Sequence, residues 1–296
     1  MSDVLKVTCL KAGLYTSVQD EGRIGFQDQG IPFSGALDKS SMHIVNSLVG
    51  NPSTSPVLEM TMFGPTLSFQ GNGQIAMAGA DMKATLNDNV IENYTTINVT
   101  SGDILAFHNT AHGCRTYLAI GGLWQTKQWL GSYSALPSLM QNDGLPSKIR
   151  DGFSFEVITR DEFAPKRIPM HQRPIYAECY IIRVVTGPEF HRFEIDVIQA
   201  FFEQIFIVDA DSNRMGYRLK GQLDDYKPVG EEISSGITIG TVQLNNGGSP
   251  IILMADAQTT GGYPRIANVV QEDLELVAQM KPGDELKFML VSLETS

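Results

Sequence analysis

Four short stretches of this 296-residue chain place charged, amide and hydroxyl side chains next to glycine. In the first, Ser17-Val18-Gln19-Asp20-Glu21-Gly22-Arg23-Ile24-Gly25-Phe26, strand-forming residues run into an acidic turn with one arginine. The planar fork of Arg23 could hold a carboxylate or a ureido oxygen through two parallel hydrogen bonds. It could equally close a hairpin by pairing with Asp20 or Glu21. In Gly30-Ile31-Pro32-Phe33-Ser34-Gly35-Ala36-Leu37-Asp38, glycine and proline fix a tight turn and Asp38 can start a helix. The N–H groups there could bind an anion, or the segment is plain turn and cap chemistry.

The third stretch, Asp211-Ser212-Asn213-Arg214-Met215-Gly216-Tyr217-Arg218, gathers carboxylate, amide, guanidinium and phenol. Such a loop could orient a small polar substrate, or be a solvated turn. In the fourth, an apolar run ends in Ala255-Asp256-Ala257-Gln258-Thr259-Thr260-Gly261-Gly262-Tyr263-Pro264-Arg265. An amide and two hydroxyls are followed by two glycines that let a ligand approach the backbone, and here the functional reading is preferred.

Other chemistries find no support. The glycines lack the lysine and spacing of a phosphate loop. Neither a G-x-S-x-G elbow nor a dinucleotide fingerprint is present. His108 and His112 fall in a strand-and-turn stretch where they would not share a helix face, so no metal site is expected. The three cysteines, Cys9, Cys114 and Cys179, are widely spaced and fit reduced thiols.

The elements that must position these loops read as strands. Short apolar stretches such as Gln74-Ile75-Ala76-Met77-Ala78, Tyr117-Leu118-Ala119-Ile120 and Ile205-Phe206-Ile207-Val208 recur between glycine, asparagine and proline clusters. Helical spacing appears at residues 38–48, with Asp38 as N-cap, at 188–202, and at 271–279. An internal echo links Arg23-Ile24-Gly25-Phe26 to Arg214-Met215-Gly216-Tyr217 and Ser34-Gly35 to Ser235-Gly236. It also links Ala80-Asp81 to Ala255-Asp256 and Gly102-Asp103 to Gly283-Asp284, all in the same order. Two related barrels are expected, residues 1–172 and 173–296, joined near a proline-rich stretch at 161–174.

A net charge of −11 argues against nucleic acid and anionic membranes as partners. No apolar run reaches the ~20 residues that span a bilayer, and the N-terminus is unlike a signal peptide, so a cytoplasmic protein is expected.

These motifs resemble the KipA-like or PxpC-like family, also called allophanate hydrolase subunit 2. The module is likewise part of the carboxyltransferase region of urea carboxylase. The resemblance runs from Gly13-Leu14, Val18-Gln19-Asp20 and Gly22-Arg23 through Ser34-Gly35-Ala36-Leu37-Asp38, Leu58-Glu59 and Gly79-Ala80-Asp81. It ends with Ser212 to Leu219 and Gln258 to Pro264. It implies a mainly β fold of two tandem cyclophilin-like β-barrels with a few short helices. It also implies partners of the KipI/PxpB and LamB/YcsF/PxpA types, together forming an ATP-dependent 5-oxoprolinase that opens 5-oxoproline to glutamate. The alternatives are a carboxyltransferase acting on urea or a related amide, with biotin, and a regulatory protein that binds a KipI-like kinase inhibitor. Ala257, Tyr133, Ile24 and Phe33 depart from the family pattern: Ala257 stands where an arginine or cysteine is common, Tyr133 replaces an arginine, and Ile24 and Phe33 replace frequent prolines.

On this reading Arg23 and Arg214 neutralise carboxylate or oxyanion charge and Asp81 accepts a proton. Asn213, Tyr217, Gln258, Thr259, Thr260, Gly261, Gly262 and Tyr263 contact the substrate. Gln19, Asp20, Ser34, Gly35 and Asp38 form an anion-binding loop.

Overall fold

A computed structural model describes residues 3–136, 146–160, 164–224, 226–228 and 234–292. The chain is mainly β, with three short α-helices among the described residues. It divides into two compact units: Met1–Arg23 with Ser34–Tyr176, and Ile24–Phe33 with Ala177–Ser296. Residues 161–163 of the expected joint lie outside the described residues.

The first unit is built from two antiparallel sheets. One has seven strands, ordered Leu123–Trp124, Ser154–Ile158, Val4–Lys11, Thr66–Gln70, Ile104–Ala106, Thr85–Leu86, Asn89–Val90. The other has five, ordered Tyr15–Gln19, Val57–Thr61, Arg115–Ile120, Gly73–Gly79, Thr96–Val99. Leu5, Val7, Leu67, Phe69 and Leu105 of the larger sheet share one core with Leu58, Met60, Ile75, Met77, Leu118 and Ile120 of the smaller. The alternate residues Ala76, Ala78, Tyr117 and Ala119 face the other way, onto Met42, Val45 and Leu48 of α1 (Lys39–Leu48). The smaller sheet is therefore covered on both faces, which explains its continuous apolar runs. Its alanines let the helix approach closely. Asp38 caps α1 as expected, its carboxylate accepting from the Ser41 N–H at 2.9 Å.

In the second unit seven strands close a barrel. Cys179–Thr186 and Glu285–Leu290, the first and last of them, pair in parallel. The helix expected over 188–202 breaks in two. Phe190–Arg192 is a 3₁₀ turn, and Phe193 and Glu194 are extended before α2 (Ile195–Glu203). Phe193 is thereby buried beside Tyr226 instead of lying on the helix face. The third expected helix opens as a 3₁₀ turn, Gln271–Asp273, and continues as α3 (Leu274–Gln279).

The Gly-Asp echo is a shared turn. In the first unit the Asp103 carboxylate accepts from the Thr100 N–H at 2.7 Å, and in the second Asp284 accepts from Lys281 at 2.9 Å. Gly102 and Gly283 sit at φ +97° and +95°, where a side chain would be strained. Each turn exchanges two backbone hydrogen bonds with one residue of a neighbouring strand, Phe69 or Val208. The Asp81/Asp256 echo does not carry through: Asp81 is exposed, whereas Asp256 is buried.

Phe201 of α2 is fully buried and stacks on Phe288 at 4.6 Å, with Phe206 alongside. Phe201→Ala is expected to destabilise the second unit by about 3–5 kcal/mol through the cavity it leaves, read as a lower denaturant midpoint.

Candidate functional site

In the first unit, the first two motifs converge on Asp20. The residue is 5% exposed. Oδ1 accepts from the Gly22 N–H and the Ser132 and Ser134 hydroxyls at 2.9, 2.6 and 2.5 Å, and Oδ2 from the Tyr133 N–H at 2.6 Å. The carbonyl of Asp20 accepts from the Ala36 N–H at 2.8 Å, which draws in the second motif. Ser34, at φ +57°, donates its hydroxyl to the Ala135 carbonyl, and Gln19 donates to the same oxygen. Gly35 is required here: at φ +92°, an added Cβ would lie 2.9 Å from the Glu21 carbonyl.

Arg23 binds carbonyl oxygens of the 129–134 segment. Its Nε donates to the Trp129 carbonyl at 3.3 Å, Nη2 donates to the Ser134 carbonyl, and the guanidinium lies 4.7 Å from the Trp129 ring centroid. At 1% exposure it is a buried tie between segments, not a group presented to solvent. Glu21 pairs instead with Lys39 and His43.

A buried polar network joins this loop at Leu37 and Asp38, and its members Glu59, Tyr117 and Arg115 were not among the candidate site residues. Glu59 is fully buried and accepts from the Leu37 N–H at 3.0 Å and the Tyr117 hydroxyl at 2.8 Å. Arg115 Nε is 3.5 Å from its other oxygen. The Tyr117 hydroxyl in turn accepts from the Asp38 N–H at 2.8 Å. Burial, reinforced by the Glu59 carboxylate, raises the Tyr117 pKa well above its usual value. The available signal was a single carboxylate inside the apolar run Val57-Leu58-Glu59-Met60.

In the second unit, Arg214 joins the third and fourth motifs. Its Nε and Nη2 donate to the two oxygens of Asp256 at 2.9 and 3.0 Å, and its carbonyl accepts from the Asp256 N–H at 2.9 Å. Both side chains are buried, at 6% and 2% exposure. The fork expected to meet a substrate anion is thus occupied by Asp256, and Arg214 positions the loops that flank it. Tyr217 requires a correction as a substrate contact. It is buried, and its hydroxyl donates to the Met280 carbonyl at 3.1 Å, pinning the end of α3.

The remaining groups of these loops are open to solvent. Asn213, Gln258, Thr260 and Tyr263 are exposed; Thr259, Gly261 and Gly262 are half-buried. Thr260–Gly261 pairs with Ser235–Gly236 as a two-stranded ribbon. Arg265 fixes its base, donating to both oxygens of Glu189 and, at 3.0 Å, to the Gly236 carbonyl. Ala257 is buried, and its methyl group brings no charge to this position. Tyr133 keeps the backbone bond to Asp20 while its ring packs on the core.

Asp81 stands apart from the Asp20 cluster. It is exposed, pairs with Lys83 at 2.8 Å, and lines a separate cleft of the first unit. Among the described residues no group of three or more His, Cys, Asp or Glu could hold a metal ion. No helix among them is long and apolar enough to cross a membrane.

The family described as carboxyltransferase domain, subdomains A and B, matches residues 29–290. The C subunit of the 5-oxoprolinase of Escherichia coli K12 is 37% identical over 96% of this chain and 91% of its own length. Two solved structures are similar. The structure of TTHA0988 matches with TM-score 0.86 and 29% identity over 96% of this chain and 55% of that one. The K. lactis urea amidolyase matches with TM-score 0.89 and 30% identity over 97% of this chain and 19% of that one. The chain thus spans about half of the first solved relative and a fifth of the second.

Arg214→Ala leaves the Asp256 carboxylate buried without its cation. It is expected to cost about 3–5 kcal/mol, and Arg214→Lys, which keeps the charge but not the fork, to recover only part; denaturant midpoints of both variants check this. Hydrogen bonds from Arg265 hold the Glu189 carboxyl below its ordinary 4.5. Its contribution to stability is therefore complete above that value and lost as pH falls through the lowered one. Glu189→Gln should remove this loss on the acid side, seen by comparing midpoints at about pH 6 and about pH 3.

Proposed function

The chain belongs to the family of carboxyltransferase domains, subdomains A and B, and from that premise we propose that it is the C subunit of an ATP-dependent 5-oxoprolinase. The observation that carries this reading is the likeness to the Escherichia coli protein, 37% identical over 96% of this chain and 91% of that one, against 30% identity to the urea amidolyase. The proposed assembly includes a KipI-like and a LamB/YcsF-like subunit in the cytoplasm.

Opening a lactam breaks a resonance-stabilised C–N bond. Water adds its oxygen to the carbonyl carbon, the nitrogen leaves as an amine and takes a proton, and glutamate results. ATP, as co-substrate of the complex, would activate the carbonyl oxygen by giving it the terminal phosphoryl group, which leaves as inorganic phosphate once water has added, with ADP as the other product. No phosphate-binding loop is present in this sequence, so the nucleotide is assigned to the assembled complex. The part assigned to this chain is orientation. The amides of Asn213 and Gln258 and the hydroxyls of Thr259 and Thr260 meet the planar N–C=O edge, and the half-buried Gly261 and Gly262 allow close backbone approach. Arg214 acts through these loops, holding them on Asp256. Asp81, paired with Lys83 in a separate cleft of the first unit, is given no part in this step.

A second reading, carboxyl transfer to urea or a related amide, is favoured by the urea amidolyase likeness; only then is biotin involved. The deciding experiment is 5-oxoproline-dependent ATP hydrolysis by this chain mixed with the KipI-like and LamB/YcsF-like subunits. Glutamate released only when all three are present is the expected result. No glutamate, but carboxylation of urea in the presence of a carboxybiotin donor, would replace this reading with the second.

A further inference from the structure

In the second unit, the barrel strand Thr241–Leu244 is buried at all four positions, yet its third residue is a carboxamide, Gln243, 2% exposed. Side chains alternate along a strand. Val242 and Leu244, both 0% exposed, take one face, and Gln243 takes the other with its cross-strand partner Ile251. Burying an amide costs free energy that fixed hydrogen-bond partners must offset. For Gln243 such a partner lies in the loop of the fourth motif: Nε2 donates to the Tyr263 carbonyl at 3.2 Å.

Gly261 shows how closely that loop sits on the amide. A Cβ built at Gly261 would lie 2.9 Å from Nε2 of Gln243 and 3.2 Å from Cδ1 of Ile237. Gly261 is not among the glycines at positive φ, so glycine is needed there for space and not for backbone conformation. The ribbon of Thr260–Gly261 and Ser235–Gly236 is thus tied to the barrel from both of its strands. Arg265 donates to the Gly236 carbonyl at 3.0 Å on one side, and Gln243 to the Tyr263 carbonyl just past the other. The Ile237 N–H donates to the Thr259 carbonyl at 3.1 Å, so a shift of one strand carries the other with it.

We infer that Gln243 is a positioning residue. Through the Tyr263 carbonyl and the space left at Gly261, it holds residues 258–263 in the arrangement that binds substrate, and it touches no substrate itself. This rests on the 5-oxoprolinase reading and adds to it the residue that sets substrate affinity. A loop that spends only a fraction of its time in the competent arrangement binds more weakly by that fraction, while the saturated rate is unchanged. The effect of Gln243 therefore falls on KM and not on kcat.

The test uses Gln243→Met, which keeps the length and burial of the side chain and removes the donor. It also uses Gly261→Ala, which presses on the same contact from the loop side, in the wild-type and Gln243→Ala backgrounds. Amide exchange of the chain alone is followed at residues 259–263 and 235–237, with the barrel strands Phe206–Val208 and Glu285–Leu290 as reference. KM and kcat for 5-oxoproline are measured with all three subunits present. In Gln243→Met, exchange at 259–263 should be at least about tenfold faster with the reference strands unchanged, and KM should rise about tenfold with kcat within about twofold of wild type. Gly261→Ala should raise KM in the wild-type background and have little further effect once Gln243 is replaced by alanine.

Unchanged exchange at 259–263 in Gln243→Met overturns the inference, as does exchange accelerated equally in the reference strands, which would make Gln243 a support of the barrel alone. A fall in kcat with KM unchanged also overturns it, by placing Gln243 at the reacting atoms. Equal effects of Gly261→Ala in both backgrounds would disconnect the two residues and overturn it as well. Wild type that turns over no 5-oxoproline with its partners removes the 5-oxoprolinase reading, and the exchange rates then decide the hold of Gln243 on the loop by themselves.

Discussion

The burial of the Asp20 carboxylate constrains the first unit more than any other interaction. A buried charge without donors is expensive, and Asp20 meets four: two backbone N–H groups and two serine hydroxyls. Those donors come from its own turn and from a segment more than 110 residues away. Satisfying one carboxylate therefore fixes the end of the Tyr15–Gln19 strand, the loop that follows and the 132–135 segment at once. Arg23 and Ser34 then have a defined surface of carbonyl oxygens to bind. Glu59 repeats the device one layer deeper, where Tyr117 and the Leu37 N–H share one of its oxygens.

The second unit solves a similar problem with opposite charges. Arg214 and Asp256 neutralise each other through a two-point contact, and the backbone bond beside it holds the same two loops together. Rigid, buried charge thus lies under the loops, while amides and hydroxyls face solvent above it. Such a division suits a site that must hold polar groups in fixed directions without reorganising when a substrate arrives. Glu189 and Arg265 extend this support to the Thr260–Gly261 ribbon.

Apolar surface is distributed with equal consequence. In the five-stranded sheet it is buried on both faces, and the alanines at 76, 78 and 119 give α1 its close seat. At the cleft beside Asn89–Val90 it is left bare, next to a strand edge. The first unit thus covers one sheet on both faces and ends the other in an edge beside bare apolar side chains.

The elements that depend on local chemistry were legible in the sequence. Asp38 as helix cap, the fully buried strands around Ile75 and Leu118, and the paired Gly-Asp turns each follow from residues within a few positions of one another. The four polar loops were legible for the same reason, because glycine and clustered polar side chains are local signals. Whether a polar group in them faces solvent or the interior was decided by tertiary structure. Arg214 meets an aspartate 42 positions away, Glu59 a tyrosine 58 away, and Tyr217 the carbonyl of Met280, 63 away. The extended backbone at Phe193 and Glu194 likewise overrode an apolar spacing that suited a longer helix. Spacing and caps report only the nearest turn of chain. The partner that neutralises a buried charge comes from whichever strand the fold lays beside it, and that pairing exists only once the sheets and the barrel have formed.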